Sequence, residues 1–292
     1  MAASRESGAQ LLARLGSRPS LVQLETALFR ADMGPKSGDA IELYGPEGTV
    51  KTEMLLHLTA RCILPASLGG LEAGVVFIDN DYHFDILRLV TILEGRLDTT
   101  DEDRMKQCLG RLYIVRCNSS EQLVITLHSL EHIIASSSEV ALLIVDSISA
   151  FYWLDRSTDD SMSGQELNQR RCVDILSRYL SDYGIVLIAT KQALFGHKSR
   201  KNQNEDTTLS PKLEKTKVEN VEHYEYMCHA WQNLIKYRYV FSRATKKDIS
   251  IEENGKDISS FSATMIKPVE HKCEFTVADR GISFMGSLYN QC

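Results

Sequence analysis

Four continuous apolar runs stand out along the chain, at residues 40–44, 75–79, 141–146 and 184–190, and the second and third end in aspartate. Runs of this length, bounded by turn residues, fit strands buried on both faces, as in a parallel sheet. Residues 112–115 make a shorter fifth run. Between the runs, apolar residues recur every three or four positions. Met54, Leu55, Leu58 and Cys62 fall on one helical face, as do Ile86, Leu89, Val90 and Leu93 within 84–97. Leu123, Leu127, Leu130 and Ile134 repeat in the same way within 119–135, and Cys172, Leu176, Tyr179 and Tyr183 follow. This alternation predicts an α/β fold, a mainly parallel central sheet with helices on both faces. From residue 234 onward the pattern changes to short β-like runs at 234–241, 249–252, 262–266, 273–277 and 282–284. These predict antiparallel C-terminal strands that extend the sheet.

The two polar stretches are as informative. Residues 1–35 carry Leu11, Leu12 and Leu15 at helical spacing and a second short helical pattern through Leu21, Val22, Leu24, Leu28 and Phe29, punctuated by Pro19, Gly34 and Pro35. That is too little for a domain. It reads as a docking arm that packs on the core or on a neighbour, and the core domain then spans 36–292. Within the core, 157–165 has almost no apolar content and 193–220 is long and polar, so both read as mobile loops. The second carries six basic residues, Lys198, Arg200, Lys201, Lys212, Lys215 and Lys217, against Glu205, Asp206 and Glu214.

Composition narrows the class. The 292 residues are 43% hydrophobic and 25% charged, with a formal net charge of −6. This balance argues against a global electrostatic grip on nucleic acid, and any such contact would have to be local. The seven cysteines form no C-x-x-C pair, which argues against both a disulfide framework and a zinc site. No apolar run approaches the roughly 18 residues of a membrane span. The first ten residues lack the apolar stretch of a signal peptide, and a reduced intracellular protein is the expectation.

The chemistry concentrates after the first apolar run. Gly45-Pro46-Glu47-Gly48-Thr49-Val50-Lys51-Thr52 lies between a strand and a helix, and it follows G-x-x-x-x-G-K-[ST] except that Val50 stands where the pattern asks for glycine. In such a loop backbone N–H groups cradle phosphates, the lysine reaches the outer phosphates and the threonine hydroxyl binds Mg²⁺. A β-branched Val50 would crowd the phosphates and weaken binding. Asp146, at a strand end, suits orientation of the Mg²⁺ water shell, although Asp-Ser also opens ordinary turns. Asp79, Asn80 and Asp81 close another strand. An acid there either orients an attacking water or caps the next helix, and both readings stay open. His128 and His132 lie four apart but do not match H-E-x-x-H, so a solvated helix face is the better reading. Phe151-Tyr152-Trp153 reads as core.

With these segments in hand (GPEGTVKT, VVFIDND, LLIVDS and IATKQ) the chain resembles the RecA-like recombinase family, over nearly its whole length from about residue 11. The longer segments KTEML, HLTARCILP, DYHFD, SAFYW and AWQNLIKYR are similar to the family's non-filament repair paralogues. The resemblance implies a RecA-like P-loop NTPase core that uses ATP and Mg²⁺. It sets Asp81 at the catalytic glutamate position, one methylene short, and Arg88 where an arginine stacks on adenine. It sets Gln192 at the glutamine that senses the γ-phosphate. The loops 157–165 and 193–220 then correspond to DNA-facing loops, with Lys198, Arg200 and Lys201 as candidate phosphate contacts. It further implies homologous-recombination repair in the nucleus, within a complex of other recombinase paralogues, above all the paralogue lettered D, with DNA reached through that complex. Two functional classes follow: an adaptor with an impaired nucleotide site, or a DNA-dependent ATPase using Lys51, Thr52, Asp81 and Asp146. A small-molecule kinase is weaker, since no acceptor-binding lid is found.

Overall fold

The computed structural model describes residues 8, 11, 16–30, 34–97, 101–158, 162–193, 212–215, 222–243, 252–253, 256–257 and 259–285. In chain order the elements are β1 (Ala40–Gly45), α1 (Lys51–Ile63), β2 (Gly74–Asp79), α2 (Ile86–Glu94), α3 (Glu102–Leu109), β3 (Leu112–Arg116), α4 (Ser120–Ser136) and β4 (Val140–Asp146). Then come α5 (Tyr152–Thr158), α6 (Met162–Tyr183), β5 (Val186–Gln192), β6 (Lys212–Lys215), β7 (Glu222–Glu225), α7 (His229–Leu234) and β8 (Tyr237–Arg243). The last are β9 (Glu252–Glu253), β10 (Lys256–Asp257), β11 (Ser260–Lys267), β12 (His271–Ala278) and β13 (Gly281–Phe284).

Nine strands form one sheet in the order β13-β12-β11-β8-β1-β5-β4-β2-β3. The six from β8 to β3 are parallel, and β11, β12 and β13 add antiparallel strands at the other edge. The sheet is thus the mixed, mainly parallel one that the alternation predicts.

Strand side chains alternate between two apolar layers, as a period of two requires. Ile41, Leu43, Val75, Phe77, Leu142, Ile144, Val186 and Ile188 face the layer of α1 and α2. Ala40, Val76, Ile78, Leu143, Val145, Leu187 and Ala189 face α4 and α6. Leu21, Leu24, Leu28 and Phe29 are fully buried in the first layer, where Phe29 meets Tyr239 edge-on at 5.7 Å. That stretch consists of turns, not the expected short helix. Arg18 ties it to the opposite layer: its half-buried guanidinium donates to the carbonyls of Ile134 (2.7 Å), Ser137 (2.8 Å) and Tyr183 at the C-terminal ends of α4 and α6, and of Val140 at the start of β4.

Further local expectations fail, among them the loop at 157–165, where residues 157–158 end α5 and 162–165 begin α6. Ile86, the first residue of α2 after its Asp85 cap, is exposed, and α2 buries Leu89, Ile92 and Leu93 instead. Trp153 is 60% exposed although Phe151 is buried, because α5 shows only one face to the core. Residues 212–215, inside the stretch expected to be an irregular loop, pair with β7 as a two-stranded ribbon.

Candidate nucleotide site

The sheet's register builds the site. Gly45 lies beside Gln192 and Asp79 beside Asp146, so the carboxyl ends of β1, β5, β4 and β2 meet at one edge of the sheet, with β1 and β5 running two residues further. In open α/β sheets ligands bind outside these ends, where successive strands diverge. Here the chain leaves β1 for β2, crossing over two strands that are filled later by β4 and β5.

The loop from Gly45 to Thr52 then takes its shape from close approaches. A Cβ on Gly45 would stand 2.7 Å from the Phe241 carbonyl oxygen, so only glycine lets β1 pass β8 there. Gly48 takes φ +75. Thr49 Oγ1 donates to the Pro46 carbonyl at 2.7 Å and closes the turn, while Pro46, Glu47 and Gly48 are exposed. Val50 is the residue before α1 and adopts φ 58, ψ 30, the left-handed region. Its side chain is half-buried against the apolar layer under α1. A β-branched residue is strained at positive φ, so Val50 carries a backbone penalty in addition to any crowding of phosphates. No side chain caps the N-terminus of α1, which leaves its first N–H groups for an anion.

Lys51 is buried and turned into the loop. Its ammonium donates to the carbonyls of Gly45 and Pro46, both at 2.8 Å, and lies 3.4 Å from Gln192 Oε1. Burial pulls its pKa down to about 8, against the opposing pull of Asp146, Asp81 and Glu47. Thr52 Oγ1 donates to Asp146 Oδ2 at 2.7 Å, and Thr190 donates to the other oxygen. Burial pushes the Asp146 carboxyl up, and these two hydroxyls only partly oppose it. A divalent cation would reverse that shift by replacing hydroxyl donors with a full charge. Gln192 is held by its own backbone, with its N–H on Ser149 Oγ (3.0 Å) and its carbonyl accepting from Tyr226 Oη (2.7 Å). Asp81 is half-buried, its N–H on the Asp146 carbonyl at 3.1 Å.

Arg88 stands at the far side of α1. Its edge is engaged by Glu53 (Nε to Oε1, 2.9 Å) and by the carbonyls of Ala278 and Asp279. The structure thus brings Lys51, Thr52, Asp81, Asp146 and Gln192 to one end of the sheet, with Arg88 beside α1. Lys198, Arg200 and Lys201 lie outside the described residues. These residues fit ATP with Mg²⁺ in two respects: an uncapped helix start beside Lys51, and the Thr52 hydroxyl paired with the Asp146 carboxylate at the metal position.

One cluster escaped the sequence reading. Glu42, Lys191, Glu225 and Arg238 are all buried and joined: Lys191 Nζ lies 3.0 Å from both Glu42 and Glu225, and Arg238 reaches Glu42 at 2.6 Å and Glu225 at 2.7 Å. Trp231 Nε1 donates to the other oxygen of Glu42 at 2.7 Å. Burial raises the Glu42 carboxyl, but Lys191, the His223 hydrogen bond and Arg238 outweigh it and hold it well below the usual range. Glu42, His223 and Glu225 lie close enough to ligate a metal, yet Lys191 and Arg238 already balance the two carboxylates. The signal was present: Glu42, Lys191 and Arg238 are single charges inside apolar strand runs.

A family model described as Rad51 matches residues 18–209. The mouse DNA repair protein XRCC2 is 49% identical over 240 residues, covering 82% of this chain and 84% of its own length. The Arabidopsis thaliana DNA repair protein XRCC2 homolog is 24% identical over 84% of this chain and 79% of its own. Mouse DNA repair protein RAD51 homolog 2 is 32% identical over 63% of this chain and 54% of its own. The matched stretch holds β1 to β5 with Lys51, Thr52, Asp81, Arg88, Asp146 and Gln192, and the chain belongs to the Rad51 family.

Proposed function

We propose that this chain acts in DNA repair by homologous recombination, as a Rad51 paralogue working in a complex with other Rad51-family proteins. The observation that carries the reading is the 49% identity to a DNA repair protein across four-fifths of the chain. Its direct neighbour is the paralogue lettered D, its place of action is the nucleus, and DNA is met through the assembly. Among the described residues no helix is long and apolar enough to cross a membrane.

Members of the RecA-like Rad51 family bind ATP with Mg²⁺, and the residues at the ends of β1, β5, β4 and β2 suit that ligand. Lys51 and the N–H groups of α1 would take the phosphates, Thr52 and Asp146 the metal, and an Arg88 face the base. When bound, Mg²⁺ supplies charge to the outer phosphates. Lys51 would exchange its carbonyl partners for phosphate oxygens. Asp81 and Gln192 would hold a water near the outer phosphate, but Asp81 is one methylene shorter than the family's glutamate. Weak ATP hydrolysis follows. The site serves first to hold the loop and sheet in a shape that a partner recognises.

Co-expression with the paralogue lettered D, followed by a sizing column, tests the adaptor role. A single co-eluting peak that persists with Lys51→Met is expected. Separate elution of the two chains would overturn the partner assignment.

A further inference from the structure

The end of β2 carries a polar atom that the contacts above leave unused. Asn80 is only 5% exposed. Its backbone N–H donates to the Asp146 carbonyl at 2.7 Å, and its Nδ2 donates to the Ser147 carbonyl at 3.0 Å. The carboxamide therefore spans the gap between the ends of β2 and β4. Its Oδ1 has no hydrogen-bond partner among the described residues. A flipped amide would set Oδ1 against the Ser147 carbonyl, acceptor against acceptor, so the orientation is fixed. A buried acceptor left unbonded is costly, and native structures satisfy such groups with a water or a ligand.

The surroundings say which donor. Asp81 and Asp146 flank Asn80 in sequence or through its hydrogen bonds, and both lie within electrostatic reach of Lys51. Lys51 directs its protons to the loop carbonyls. Beside β2 and β4 stand two carboxylates and one amide oxygen; Asp146 already takes the Thr52 and Thr190 hydroxyls, and Asn80 Oδ1 takes none. Water bound to a divalent cation meets that demand, because coordinated water is a strong donor and accepts little.

We propose that Asn80 is a positioning residue for the metal-bound nucleotide: its Oδ1 accepts a hydrogen bond from a water coordinated to the divalent cation. This contact compensates for the short reach of Asp81 and makes nucleotide binding more dependent on the metal. The inference rests on the nucleotide reading given above.

The test is a titration of full-length protein with a fluorescent ATP analogue, with Mg²⁺ and with EDTA, on the natural chain and on Val50→Gly, each with and without Asn80→Leu. The expected result is that Asn80→Leu weakens binding about three- to tenfold with Mg²⁺ and leaves the EDTA value unchanged, the size of one lost hydrogen bond. Paramagnetic enhancement of water-proton relaxation by Mn²⁺ in the ternary complex should fall in parallel. Equal losses with Mg²⁺ and EDTA, or no loss, would overturn the inference. If Asn80→Leu does not fold, Asn80→Asp decides: an added negative charge must increase the Mg²⁺ dependence, and an unchanged ratio refutes the role. Absence of Mg²⁺-dependent binding in both parent chains would instead remove the nucleotide reading, and the inference with it.

Discussion

Val50 and Lys51 set the character of the loop. At φ 58 a valine costs on the order of 1–3 kcal/mol over a residue that tolerates the left-handed region. Glycine recovers part of this and gives some back as unfolded-chain entropy. Val50→Gly should therefore stabilise the protein by about 1 kcal/mol, a rise in Tm of roughly 2–4 °C. It should also tighten nucleotide binding several-fold, because the loop spends more time in the competent shape. Unchanged melting by calorimetry would refute the strain. Lys51 carries the opposite lesson. Its folded pKa of about 8 lies below the ordinary value of 10.5, so the unfolded chain binds more protons between those limits. The cost is present in full at pH 7 and is relieved as pH rises from 8 to 10.5. Lys51→Met should be about 1–2 kcal/mol more stable than the natural chain at pH 7, after the lost hydrogen bonds are discounted. Urea denaturation should show that advantage shrinking by pH 9.5. An advantage that grows with pH would contradict the assignment.

At the scale of elements, β1, β5, β7 and β8 are joined by charge as well as by hydrogen bonds. Glu42, Lys191, Glu225 and Arg238 form two cations against two carboxylates, so removing one partner strands another without water to receive it. Glu42→Gln keeps the shape and removes the charge, and should cost about 3–5 kcal/mol. Because the folded Glu42 pKa is depressed, its contribution is complete above the unfolded carboxylate range and is lost as pH falls through the folded value. A denaturation midpoint for Glu42→Gln matching the natural chain would mean that the cluster is neutral to stability. The cluster also sits one residue from Gln192, so it fixes the end of β5 at the nucleotide site.

The whole molecule is closed by its N-terminal segment. Leu21, Leu24, Leu28 and Phe29 fill one apolar layer, while Arg18 crosses to the carbonyl ends of α4 and α6 in the other. A planar guanidinium can meet several carbonyls at once, whereas an ammonium cannot match that spread. Arg18→Ala should cost about 2–3 kcal/mol in urea denaturation, and Arg18→Lys should recover only part of it. Full recovery by lysine would show that charge alone matters there. Glu25 continues the tie by accepting from His57 of α1 at 2.8 Å, which links the segment to the helix that carries the phosphate loop.

Much of this was readable in the chain. Apolar runs ending in Asp79 and Asp146 marked interior strands, and the spacing from Gly45 to Thr52 marked the loop, because strand burial and phosphate geometry demand those residues locally. The family followed from motifs of that kind. The pattern of single charges within apolar runs also held the Glu42 cluster, but no local rule pairs Glu42 with residues 149 and 196 positions away. Only the sheet register, Gly45 beside Gln192 and Asp79 beside Asp146, decided which ends meet. Tertiary contacts likewise decided that Val50 bears a penalty in the backbone, that Arg88 is pinned at its edge, and that Asn80 holds a buried acceptor without a donor. Periodicity and motif spacing act within a few residues; register, burial and charge pairing act between strands, and the sequence orders these only once the sheet has formed.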